Sequence, residues 1–333
     1  MSAPTIPAAA LAGYLDCLER ADPAAATRLA LDLLDAGVAP ADLLIDLVAV
    51  AQREVGERWR VGRWSVAQEH AATHVSERVV GAIADRVQPG AERGRVVLAC
   101  VEGEWHALAA RLVAEVLRAD GWQVTFLGAS VPPRHLVSYL HQTGPDAVLL
   151  SCLQSSRLVR AARVIESCRL AGVPVIAGGP GFGPAGRWAS VVGAAAWGAT
   201  ARDAARLLAE QVFSAADVGA APVTGGDEHL AVLRRRRELV DLATRIADPS
   251  DEELDSVAAE VGHLVDALAA AIRVGDPALV TEFVRWQGDV LTARGGPSGL
   301  LDAVLDGWAT VLVEHPQARD YLDRARAASR VPA

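Results

Sequence analysis

The period of the hydrophobic pattern switches at Arg95 and switches back after Gly219, and this double switch constrains the fold more than any other property of the 333-residue chain. Between those points lie short apolar runs rich in β-branched residues: Val96–Val101, Val124–Leu127, Ala147–Ser151, Val173–Ala177 and a brief fifth near Ala194–Trp197. Helical patterns alternate with them over Ala107–Arg118, Pro133–Gln142, Arg157–Leu170 and Ala201–Phe213. Strand and helix in strict alternation predict a parallel, doubly wound sheet of the flavodoxin or Rossmann type.

The flanking segments keep a helical period only. Leu11, Leu15 and Leu18 share one face, as do Leu29 and Leu33, and a third pattern runs from Leu43 to Trp59. A fourth begins at Ser65-Val66-Ala67-Gln68, where the serine and the glutamine three residues later form a capping box. Four helices with short connections predict an antiparallel bundle over residues 1–88, closed by Pro89 and Gly90. The sheet domain is predicted over 94–218. The small-residue stretch Gly219–Gly226 then leads into an all-helical domain over 227–333, with helices at 228–247, 251–274, 277–293 and 298–314 and a last one from 317. The fold class is therefore α/β plus all-α.

Composition narrows the function. A hydrophobic content of 51% without a run of membrane-helix length points to a cytoplasmic protein, and Pro4 and Pro7 without a basic run argue against a signal peptide. A net charge of −9 disfavours nucleic acid as a partner, and Arg234–Arg237 lies within a helical pattern where a solvated face is the ordinary reading. Cys17, Cys100, Cys152 and Cys168 lack CxxC spacing, so neither zinc nor a disulfide framework is expected.

Three features share one predicted edge of the sheet, the carboxyl ends of its strands, where open α/β folds bind ligands. Glu104-x-His106 follows the first strand, Ser151-Cys152-Leu153 ends the third, and Gly178-Gly179-Pro180-Gly181-Phe182-Gly183 follows the fourth. A carboxylate beside a loop imidazole is the layout of a metal-ligating histidine whose second nitrogen is held by an acid. Each feature alone has an ordinary reading, as a loop histidine or a left-handed turn. In this order and spacing they resemble the cobalamin-binding domain of methionine synthase and corrinoid proteins. That resemblance implies His106 as the lower cobalt ligand and Glu104 as its orienting acid. It implies Ser151 and Leu153 along the channel for the nucleotide tail, and Gly178 and Gly179 against the buried base, with Phe182 of the same loop in the cofactor-binding set. The family's usual residues are Asp where this chain has Glu104 and Gly where it has Ala109.

The helical segment adds Trp59, followed after nine residues by Glu69 and His70, with His74 one turn further. A core tryptophan and a surface Glu-His pair are the plain reading. The spacing also resembles the signature of light-sensing adenosylcobalamin proteins of the CarH-like class, in the helical cap over the upper corrin face. The resemblance implies that Trp59, Glu69, His70 and His74 surround the upper ligand. Those regulators can carry a histidine beside the tryptophan, where this chain has Arg60, and the winged helix that precedes their cap is not seen here, so direct operator binding is not expected.

With its helical third segment the chain resembles the photocobilins, which join such a core to a bilin-binding domain. This implies biliverdin as a second chromophore, with His263, Arg285, Trp286, Trp308 and Arg234–Arg237 as the apolar and cationic partners a bilin requires. No cysteine lies beyond Cys168 to form a thioether within that domain. The expectation is a non-enzymatic photoreceptor that changes conformation and self-association in light and acts on a downstream partner. The alternative is a corrinoid carrier of a methyltransferase system. A cobalamin-dependent enzyme would need a catalytic barrel that an all-helical third segment does not supply.

Overall fold

The computed structural model describes residues 6–88, 90–210 and 227–329. Pro89, the segment Gly219–Gly226 and the last residues of the helix expected to reach Phe213 lie outside them. Helices α1 (Ala8–Glu19) and α2 (Pro23–Asp35) lead into a long helical stretch that starts as α3 (Pro40–Asp42) and ends as α4 (Ala49–Arg60). Between the two, Leu43–Val48 form a π-helical segment whose Leu43, Leu44, Leu47 and Val48 are all buried. α5 (Val66–Ala84) begins at the expected capping box, with Ser65 and Gln68 each satisfying the other's backbone N–H. This bundle shares its core with the next helix, α6 (Leu108–Ala119), through Leu108, Leu112 and Val116. Arg202 adds ion pairs to Asp42 and Asp46, both at 2.6 Å.

The sheet contains β1 (Gly94–Cys100), β2 (Trp122–Gly128), β3 (Ala147–Ser151), β4 (Val175–Gly178) and β5 (Ala196–Gly198). All pairs are parallel and the order is β2-β1-β3-β4-β5. α6 and α9 (Ala201–Ala209) pack together on one face, and α7 (Pro133–Thr143) and α8 (Leu158–Leu170) on the other. This order has its topological switch between β1 and β3, where neighbouring loops leave in opposite directions and open a crevice beyond the strand ends.

The third segment comprises α10 (Glu228–Arg234), α11 (Arg236–Ala247), α12 (Leu254–Val274), α13 (Ala278–Ala293), α14 (Leu300–Val311) and α15 (Pro316–Ser329). The single helix expected over 228–247 is divided at Arg235, whose N–H is shared between the carbonyls of Ala231 and Val232. Arg235 Nη1 donates to the carbonyl of Val311 at 2.8 Å, tying the break to α14. α12 lies against α8, so the segment shares one continuous apolar core with the lower face of the sheet domain.

Candidate functional site at the carboxyl edge of the sheet

The chain leaves β1 through a tight turn in which Glu104 N–H donates to Val101 O at 2.8 Å. Gly103, at φ 81°, occupies the left-handed region and donates its N–H to Ser130 Oγ at 3.0 Å. The Glu104 side chain is 0% exposed and His106 is 60% exposed, so the turn buries the acid and presents the imidazole. One carboxylate oxygen of Glu104 accepts from His106 N–H at 3.1 Å and lies 2.6 Å from Nδ1. The other accepts from the backbone N–H groups of Leu153 at 2.9 Å and Gln154 at 3.3 Å. Glu104 therefore does more than orient the histidine: it also ties the loop after β1 to the loop after β3, across the switch point.

Electrostatics follow from this geometry. Burial pushes the Glu104 carboxyl up, but the bonds from His106 and the Leu153 backbone outweigh it and hold the group below its ordinary value. The hydrogen bond to Glu104 raises the His106 pKa, against the opposing effect of burial. The negative charge of Glu69 raises it further, which places the α5 carboxylate within electrostatic reach of the imidazole. Glu69 itself accepts from Thr73 Oγ1 at 2.9 Å and meets His70 Nδ1 at 2.7 Å. Thr73 Oγ1 also lies 3.2 Å from the Gln52 side-chain oxygen, and the Gln52 amide N–H donates to Ser76 Oγ, the acceptor for Tyr14 deep in the bundle. A polar chain thus runs from the cleft into the core of the bundle.

Other residues singled out in the sequence take different places. His70 and His74 are exposed on α5, paired with Glu69 and with Glu77 at 3.8 Å. Trp59 stacks on Trp286 of α13 at 6.2 Å with the guanidinium of Arg294 over its ring at 4.8 Å. Ser151 and Leu153 are half-buried at the edge, and Gly178 has only Gly198 O, at 3.7 Å, near the position of an added Cβ. Gly179 is required internally: at φ 100°, a Cβ there would collide with the Cys152 carbonyl. Phe182, placed in the cofactor set by resemblance, is fully buried with Trp188 in the core and faces no cleft, because the turn Pro180–Phe182 folds it inward. Trp308 is likewise sealed, donating Nε1–H to Leu239 O at 2.9 Å, which removes it from any bilin slot.

The residues at the edge fit a corrin. No group of three or more His, Cys, Asp or Glu side chains could hold a metal ion among the described residues. A corrin would supply the cobalt ligands that the described side chains around His106 do not. Nδ1 is engaged by Glu104, leaving exposed Nε2 as the donor. Missing from the sequence reading were Arg157 and Arg160, whose guanidinium groups lie against the Cα of Gly103. Their only sequence signal is position, in the first turns after the third strand.

Comparison with known proteins agrees with this cleft. Residues 94–209 match the model of a B12 binding domain, and residues 10–84 match that of a second B12 binding domain. Trimethylamine corrinoid protein 1 of Methanosarcina mazei is 25% identical over 197 residues, 56% of this chain and 90% of that protein. The HTH-type transcriptional repressor CarA of Myxococcus xanthus is 32% identical over 121 residues, covering 36% of this chain and 42% of CarA. The structure of the monomethylamine corrinoid protein of Methanosarcina barkeri superposes with a TM-score of 0.53 at 22% identity, over 60% of this chain and 96% of that one, which shows a shared fold. Neither family model extends beyond residue 209. The chain carries a pair of B12-binding domains, and no described helix is long and apolar enough to cross a membrane.

Proposed function

We propose that this corrinoid-binding chain is a light sensor, in which the cap residues around the upper corrin face report to the third, helical segment. The observation that carries the reading is the stack of Trp59 on Trp286, reinforced by Arg294 and by the Arg60–Asp289 pair at 3.3 Å. The signature tryptophan of the cap thereby rests on the segment that lies beyond both B12-binding domains.

Adenosylcobalamin, when bound, supplies a cobalt–carbon bond that light breaks. His106 would hold the cobalt through Nε2, with Glu104 fixing the ring. Trp59, Glu69 and His70 would border the upper ligand, and movement of Trp59 would be transmitted to α13 through Trp286. Such a switch requires two arrangements of cap and third segment that the ligand favours unequally. Biliverdin is proposed as a second chromophore at the third segment, with half-exposed Trp286 and partly buried His263 as candidate contacts.

The test is absorbance and size-exclusion chromatography of adenosylcobalamin-loaded protein before and after green light. Both should change; unchanged spectra and elution defeat the proposal. His106→Ala should lose the base-off, histidine-on spectrum. The carrier reading is favoured by the extent of the match to the trimethylamine corrinoid protein, 90% of its length. Preference for methylcobalamin, with turnover by a methyltransferase, would establish that reading instead.

A further inference from the structure

A cavity of about 190 Å³ lies where α8 meets the third segment, lined by Ser156, Arg160, Arg163, Arg236 and Asp266 among others. Arg157 adjoins it, 3.6 Å from Asp266. Three guanidinium groups, those of Arg157, Arg160 and Arg236, thus meet a single carboxylate, and a fourth, that of Arg163, lines the same cavity. Arg236 donates to one oxygen of Asp266 at 3.0 Å, while the other oxygen lies 3.6 Å from both Arg157 and Arg160 and accepts no hydrogen bond among the described residues. One carboxylate cannot neutralise four cations, and the excess charge is concentrated in a concave, partly desolvated space.

Two further observations point to a ligand. Ser156 is only 2% exposed, yet its hydroxyl has no hydrogen-bond partner among the described residues, although it lines the cavity. A buried hydroxyl is costly unless paired. Arg163 is exposed, and its guanidinium has no ion pair among the described residues. The neighbouring His263 is consistent with this field: burial first, and then the charge of Arg157, push its pKa down to about 4.

We propose that this cavity is an oxyanion-binding site, accepting a phosphate or carboxylate group between Arg160, Arg163 and Arg236 with Ser156 as a neutral donor. Arg160 and Arg157 also lie against Gly103 in the turn that presents His106, so the anion's partners are shared with that turn. An occupied site would draw these arginines away from Asp266 and alter the support beneath the histidine loop. The site stands on its own residues and does not depend on the corrin reading.

The test uses the full chain at constant ionic strength, with inorganic phosphate titrated by calorimetry and thermal denaturation, and biliverdin compared with its dimethyl ester by absorbance. Saturable phosphate binding, weakened roughly tenfold by Arg163→Ala, supports a site for free oxyanions. Binding of biliverdin but not phosphate, with the diester and Arg163→Ala each weakening it by a similar factor, supports the same site occupied by a ligand-borne carboxylate. Ser156→Ala, a small change that leaves all four arginines in place, should weaken whichever ligand binds. If neither probe binds, or if both variants bind as wild type does, the proposal is overturned. Corrin loading is read separately from the cobalamin spectrum, so its failure would bear on the cleft at His106 and not on this cavity.

Discussion

Replacing Glu104 by glutamine tests the central feature of the cleft, because one buried carboxylate serves two loops. Its oxygens accept from His106 N–H and Nδ1 on one side and from the Leu153 and Gln154 N–H groups on the other. A glutamine has one accepting oxygen, so its NH2 group must face one of these donor pairs. Hydrogen bonds to a charged acceptor contribute about 1.5–3 kcal/mol each, and the side chain is fully buried. With partial relaxation, the loss of two such bonds should cost about 3 kcal/mol, a sizeable share of the roughly 5–15 kcal/mol that holds a domain together. Thermal denaturation should then fall by about 6–12 °C. Corrin affinity, followed by absorbance with hydroxocobalamin, should drop about 10- to 100-fold, the range for partners that orient a metal-bound histidine. Glu104→Asp keeps the charge but is one methylene shorter, and should lose one pair of contacts and fall between. A glutamine variant with a midpoint within about 2 °C of wild type and corrin affinity within about twofold would refute the two-loop role.

Trp286→Ala removes the ring under Trp59 and should cost about 0.5–1.5 kcal/mol beyond lost area, while narrowing the difference in elution between dark and lit protein; Trp286→Phe should restore most of both. Gly179→Ala should destabilise by at least about 2 kcal/mol in urea titration, since it combines a left-handed backbone with a collision at the Cys152 carbonyl. Gly178→Ala has room for its methyl and should leave the urea midpoint unchanged while weakening corrin binding, if that strip faces the nucleotide base. His263 has its pKa lowered from 6.5 to about 4, so the unfolded chain takes up its proton first. Its contribution to stability is complete above pH 6.5 and declines as the pH falls towards 4, and His263→Gln should flatten that part of the urea-stability profile.

The doubly wound sheet was readable because its signal is local: five β-rich runs alternating with helices leave one economical solution, and the observed strand order is the usual one for that alternation. The capping box at Ser65 was readable for the same reason, since both partners lie within one turn. The histidine loop could be located because the end of β1 is set by where an apolar run stops, and Glu104 lies only two residues from its partner. Ordinary helix periodicity did not reveal the break at Arg235 or the π-helical stretch at Leu43–Val48, which leave the pattern of buried residues nearly intact.

What the sequence determined by itself was the kind of elements, their order, and the edge of the sheet at which His106, Ser151 and Gly178 gather. Tertiary structure alone decided which residues meet across long separations. It joined Glu104 to the loop after β3, set Trp59 against Trp286, sealed Phe182 and Trp308 in the core, and drew Arg160, Arg163, Arg236 and Asp266 into one cavity. The physical reason is one of range. Backbone preference and hydrophobic period act within a few residues, whereas burial and charge pairing are settled only when distant surfaces close on one another.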